Sequence, residues 1–171
     1  MISKKMQKAL NKQVNAEMYS AYLYLAMSAY FDGQGLKGCA HWMRLQYDEE
    51  MVHGFKLYDF VLERGGIVTL EAIAKPEPVL ESTLGVFKEV LEHERKVTGM
   101  INELVGLAMD EKDFATNSFL QWFVDEQVEE EASAEEIVQQ LTMVGDSKNG
   151  LFLIDRQLGE RQPGGSAESE A

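Results

Sequence analysis

Asp48-Glu49-Glu50-Met51-Val52-His53 holds a Glu-x-x-His pair. On a helix, Glu50 and His53 fall one turn apart on the same face, the spacing a metal ion needs from a single helix. So short a pair also arises by chance, so its neighbours matter. In alternating steps of three and four residues, Glu50 is flanked by Leu36, Ala40, Met43 and Tyr47 on one side and by Gly54, Leu57 and Val61 on the other. That is the apolar seam of a helix facing a bundle core, with a carboxylate set into it.

Three other segments repeat the pattern. One runs Leu10, Val14, Glu17, Ala21, Tyr24, Ser28, Phe31; another runs Leu84, Phe87, Leu91, Glu94, Thr98, Ile101, Val105, Ala108. The last runs Leu120, Phe123, Gln127, Glu130, Ala134, Ile137, Leu141, Val144. Glu17 and Glu50 lie 33 residues apart, as do Glu94 and Gln127, and a shift of 77 carries Glu17 to Glu94, Glu50 to Gln127 and His53 to Glu130. The chain therefore reads as two helical hairpins with one layout of polar seam residues. Di-iron carboxylate bundles take a Glu from each of two helices and Glu-x-x-His from each of the other two. The second hairpin departs from this, with Gln127-x-x-Glu130.

Length and charge bound the rest. At 171 residues the chain is expected to form one domain over residues 1–161, with a disordered tail at 162–171. A net charge of −13 and a pI near 4.6 argue against nucleic-acid partners and anionic membranes and favour cations. Cys39 is the only cysteine, which leaves no intrachain disulfide and no Cys-based zinc or iron–sulfur site. Lysines near the N-terminus are followed by no apolar stretch, so a cytoplasmic protein is expected.

Ser3 is read as the cap of a first helix running to about Phe31, ended by Asp32-Gly33-Gln34-Gly35. A second runs from about Leu36 to Arg64 and stops at Gly65-Gly66. Residues 67–81, with Lys75-Pro76-Glu77-Pro78, form a connection. Ser82 or Thr83 caps a third helix ending near Met109, Asp113 caps a fourth ending at Gly145, and a short fifth spans about Ser147 to Arg161. The first and third loops are short, so they join antiparallel neighbours. The second connection, at about 15 residues, can span roughly 50 Å, more than the roughly 43 Å of a helix of about 29 residues. Helices two and three are therefore expected to run parallel. The fold class is all-α: a ferritin-like four-helix bundle with one long crossover, plus a short fifth helix.

Each unpaired buried charge costs several kcal/mol. Four would rival a total stability of about 5–15 kcal/mol. Glu17, Glu50, Glu94 and Glu130 must then be protonated, paired or bound to cations, and the four seams contain no Lys or Arg. Two divalent ions would balance them, with His53 and Gln127 neutral. One imidazole among carboxylates suits iron or manganese better than structural zinc. Tyr24, two turns beyond Glu17, is either a donor to the metal site or a core tyrosine with a satisfied hydroxyl. Glu49, Glu126 and Glu129 form either a third cation site or a solvated acidic face. Met51 reads as packing rather than a haem ligand, and haem is not expected. His41 and His93 read as structural or surface residues, Trp122 as core and Cys39 as small and buried.

Glu17, Glu50-x-x-His53, Glu94 and Gln127-x-x-Glu130, together with Tyr24, resemble a prokaryotic non-haem ferritin over roughly residues 3–160. The resemblance implies a ferroxidase centre. Glu17, Glu50 and His53 would hold one iron, Glu50 would bridge, and Glu94 and Glu130 would hold the other, with Gln127 close by. Glu49, Glu126 and Glu129 would match a third iron site. It further implies Fe(II) oxidation by dioxygen or hydrogen peroxide, storage of Fe(III) as mineral, and a hollow homo-oligomeric cage of twenty-four subunits. Bacterioferritins carry Glu and His where this chain has Gln127 and Glu130. The alternatives are a non-catalytic bundle binding zinc or manganese, and a haem-binding bacterioferritin-like variant using Met51.

Overall fold

In a computed structural model that describes residues 1–78 and 81–163, the chain forms five helices: α1 (Lys4–Gly33), α2 (Lys37–Glu63), α3 (Thr83–Asp110), α4 (Phe114–Val144) and α5 (Lys148–Leu158). Residues 164–171, most of the expected tail, lie outside the described residues. Short polar side chains start four of the five helices. Ser3 accepts from the Met6 amide, Ser82 from Gly85, Asp113 from Thr116 and Ser147 from Gly150, each satisfying one orphan N–H of the first turn. α2 has no such cap of its own; Asp155, from α5, supplies it by accepting from the Cys39 amide at 2.8 Å.

α1 runs two residues further than expected. Asp32 and Gly33 stay helical, and the break falls where Gly35 takes a φ of 77°, a left-handed conformation that glycine adopts without steric cost. α5 ends sooner than expected, at Leu158, so Glu160 and Arg161 leave the helix axis.

α1 packs against α2, α3 against α4, and the two hairpins meet most closely along α1 and α3. No Cα of α2 comes within 8 Å of a Cα of α4; side chains bridge that gap. α2 and α3 both start beside Phe31 and finish beside Met6, so they run parallel, as the long connection required. That connection has its own track. Gln7, Asn11 and Asn15 stand one turn apart on α1, and their side-chain amides bond the backbone of Ile67, Thr69, Glu71 and Ala72.

The core is divided. One apolar cluster gathers Tyr24, Phe31, Trp42, Phe87 and Leu141 with Ile154 and Leu158 of α5. A second gathers Met6, Leu10, Leu57, Ile101, Leu120 and Phe123. Between them lies a layer of buried polar side chains. α5 docks on α2 and α4 through a tight backbone contact: a Cβ on Gly38 would lie 1.5 Å from the Asp155 carbonyl oxygen. Phe152 and Leu153, on the other side of α5, stay exposed. No helix among the described residues is long and apolar enough to cross a membrane.

Candidate metal centre

The polar layer is where the four seams converge. Glu17 comes from α1, Glu50 and His53 from α2, Glu94 from α3, and Gln127 and Glu130 from α4; none is more than 4% exposed. Heptad-like spacing points each of them inward, and the two apolar clusters close over them from either end. Glu17, Glu50 and His53 can each offer a ligand atom within 4.8 Å of the others, and so can His53, Glu126 and Glu130. His53 stands between the two groups, with Nδ1 3.8 Å from Glu50 Oε2 and Nε2 4.0 Å from Glu126 Oε1.

Neutral donors hold the carboxylates in place. The Tyr24 hydroxyl donates to Glu94 Oε1, and Gln127 Nε2 donates to Glu94 Oε2 at 3.3 Å. Gln13 Nε2 donates to Glu17 Oε1 at 2.7 Å, and Gln46 Nε2 to Glu130 Oε2 at 2.8 Å. Glu50 Oε2 and Glu130 Oε1 are buried with no hydrogen-bond partner among the described residues. A buried acceptor left open in this way is costly in a merely structural core, and fits a ligand atom waiting for a cation.

The electrostatics agree. Burial raises the carboxyls of Glu17, Glu50, Glu94 and Glu130 above the ordinary range, and mutual repulsion lifts Glu50 and Glu130 further. Glu94 rises only to about 7, because the Tyr24 and Gln127 hydrogen bonds favour its charged form. Burial, followed by the Lys56 charge, lowers His53 to about 4, so the imidazole is neutral and free to ligate. Four oxygen donors and one neutral imidazole form a hard set suited to iron or manganese.

Not every sequence candidate joins the layer. Glu126 is buried beside His53, whereas Glu129 is exposed on the outer face of α4 and belongs to neither ligand group. Glu49 is half-buried and paired with Arg161 at 2.7 Å. Tyr24 is fully buried, and its hydroxyl does reach the site. Met51 is half-buried and lies outside both apolar clusters. Trp122, also half-buried, sets its ring edge-on to His53 at 5.4 Å. His93 is half-buried, bonded to Ser20 at 2.8 Å.

Gln13 and Gln46 were missed. Their signal was available: each stands four residues before a seam glutamate, Glu17 or Glu50, and the two share the 33-residue spacing.

An all-helical bundle whose four long helices bring buried carboxylates and one imidazole into a single layer defines the carboxylate-bundle class. A family model for the ferritin-like domain matches residues 7–144. A bacterial non-heme ferritin of Bacteroides fragilis (strain 638R) is 48% identical over 161 residues, covering 94% of this chain and 100% of the relative. One from Staphylococcus aureus (strain MRSA252) is 42% identical, covering 94% and 97%. Among solved structures, an open-pore ferritin from the hyperthermophilic archaeon Archaeoglobus fulgidus superposes with a TM-score of 0.93 at 56% identity, covering 95% of this chain and 100% of that one. The chain belongs to the ferritin family, and its function is iron storage.

Proposed function

We propose that the buried layer is a ferroxidase centre, working in the cytoplasm, at which Fe(II) is substrate. Glu17, Glu50 and His53 hold one ferrous ion, Glu94 and Glu130 hold a second, and Glu50 lies between them. Two ferrous ions balance the four carboxylates. Each ion gives one electron, and the pair reduces dioxygen to hydrogen peroxide, or hydrogen peroxide to water, with two protons taken up in either case. Tyr24 and Gln127 keep Glu94 oriented, and the apolar clusters exclude bulk water. Ferric iron then leaves for a mineral held in a hollow cage of twenty-four copies. A third cation at Glu126, with Glu130 and Glu49 nearby, completes the reading.

The observation that carries it is the layer itself. Four carboxyls from four helices are buried together, and no ion pair among the described residues joins any of them to a Lys or Arg.

Stopped-flow absorbance after mixing apo-protein with Fe(II) in air tests it. A fast phase saturating near two irons per subunit is expected. Glu50→Ala should slow that phase on the order of a hundredfold, the scale of a lost metal-site group, with the helical content intact. Oxidation by this variant at the native rate would rule the centre out.

A further inference from the structure

One positive charge already sits at the acidic edge of the metal layer, and it belongs to the chain. Arg161 follows α5 and turns back toward the bundle. Its guanidinium stacks over Trp42, 5.1 Å from the ring centroid. Nη1 donates to Gln46 Oε1, and Nη2 donates to Glu49 Oε2 at 2.7 Å. The Arg161 carbonyl accepts from His41 Nε2 at 2.9 Å, which fixes the backbone at this point. Gln46 is fully buried and passes the contact inward, because an amide whose oxygen is held by the arginine must turn its nitrogen the other way, here onto Glu130.

The carboxylates on this edge are not saturated by the arginine. Glu49 Oε1 and Glu130 Oε1 are both buried without a hydrogen-bond partner among the described residues. The Glu126 charge helps raise the Glu49 carboxyl, and Glu126 and Glu130 can offer ligand atoms within 4.8 Å of one another. A divalent cation drawn to these oxygens would meet the guanidinium on Glu49. Two cations sharing one carboxylate repel, and the loss of a charge-assisted hydrogen bond adds to the cost.

We propose that Arg161 is an internal competitor for the third cation: without that ion its guanidinium neutralises Glu49 and, through Gln46, orients Glu130, and a metal bound at Glu49, Glu126 and Glu130 displaces it. This rests on the third-site reading above. The last turn after α5 is thereby tied to occupancy of the metal layer, with Arg161 acting as a positioning residue.

Anaerobic titration calorimetry of the assembled apo-protein with Fe(II), repeated with redox-inert Zn(II), separates the possibilities. The native protein is expected to bind two ions tightly and a third more weakly. Arg161→Ala should tighten the third site about tenfold, the scale of one hydrogen bond to a charged group, and leave the ion held by Glu17, Glu50 and His53 unchanged. Arg161→Lys keeps the charge but loses the forked contact, so its effect should be smaller. Trypsin supplies a second readout: saturating Zn(II) should speed cleavage after Arg161 in the native protein. A third site removed by Glu49→Gln but indifferent to Arg161→Ala, with metal-independent cleavage after Arg161, would overturn the proposal and leave the third site standing. Metal stoichiometry indifferent to Glu49→Gln in both backgrounds would overturn the third site, and the proposal with it.

Discussion

The carboxyl of Glu94, held at about 7 in a buried layer, makes the metal-free protein sensitive to pH near neutrality. Carboxyls whose values rise on folding bind protons more tightly in the native state. Their contribution to stability is complete below the unfolded value of 4.5 and drains away as pH rises through about 7. His53 works the other way: burial lowers it from 6.5 to about 4, so its contribution is present above 6.5 and lost as pH falls toward 4. Between about pH 6.5 and 8 the carboxyl effect stands alone. The Tm of the metal-free protein is therefore expected to fall across that window, while the extra stability conferred by saturating Mn(II) grows, since binding must release those protons. A metal-free Tm that climbs from pH 6.5 to 8 would contradict the assignment. Tyr24→Phe removes a donor to Glu94 and should slow the fast phase of iron oxidation about tenfold, read by the same stopped-flow trace. At this scale most of the site was legible. Glu17, Glu50, His53, Glu94, Gln127 and Glu130 announce themselves by sitting in apolar seams at helical spacing. Arg161 could not, because its partners Gln46 and Glu49 stand 115 and 112 residues away and no local period links them. Glu129 joins Glu126 by charge and by the family resemblance; in the fold Glu126 is buried in the layer and Glu129 is exposed.

At the scale of elements, the helix starts were readable because Ser3, Ser82, Asp113 and Ser147 are small polar residues placed before periodic runs. The start of α2 is legible to within a residue from the glycine break before Leu36, but its cap is not, since that comes from Asp155 in a different helix. The seat of α5 is equally non-local. Gly38 allows the Asp155 and Gly159 backbones to approach α2 more closely than any side chain would permit. Gly38→Ala should therefore lift α5 from the bundle. The cost of overpacking is about 1–3 kcal/mol or more, and thermal unfolding should show a Tm lower by several degrees. A variant as stable as the native protein would mean that α5 docks elsewhere. By local sequence the crossover reads as a bare connection, although Gln7, Asn11 and Asn15 at four-residue spacing mark its track on α1. Asn11→Ala breaks the middle rung, and limited proteolysis within 67–78 is expected to quicken while the helices stay protected.

For the whole molecule, all the proposed iron ligands come from one chain, so the centre is complete before any copies associate. Phe152 and Leu153, 65% and 63% exposed on an eleven-residue helix, are not covered by any of the described residues. Replacing both by Glu should yield smaller assemblies by native mass spectrometry, with the fast oxidation phase retained per subunit and mineral storage lost. Full-sized cages from this variant would show that α5 faces no other copy. Fold class and chain direction were legible at this scale because loop lengths constrain both; the splitting of the core into two clusters was not, since it depends on how polar residues from four helices line up in depth. That split has a consequence for the lifetime of the protein. Two greasy halves are joined by a waist of acids that hold together poorly until metal arrives. With iron bound there as proposed, the empty chain is expected to be cut by proteases faster than the loaded one, so that supply of the cargo would set how long its container survives.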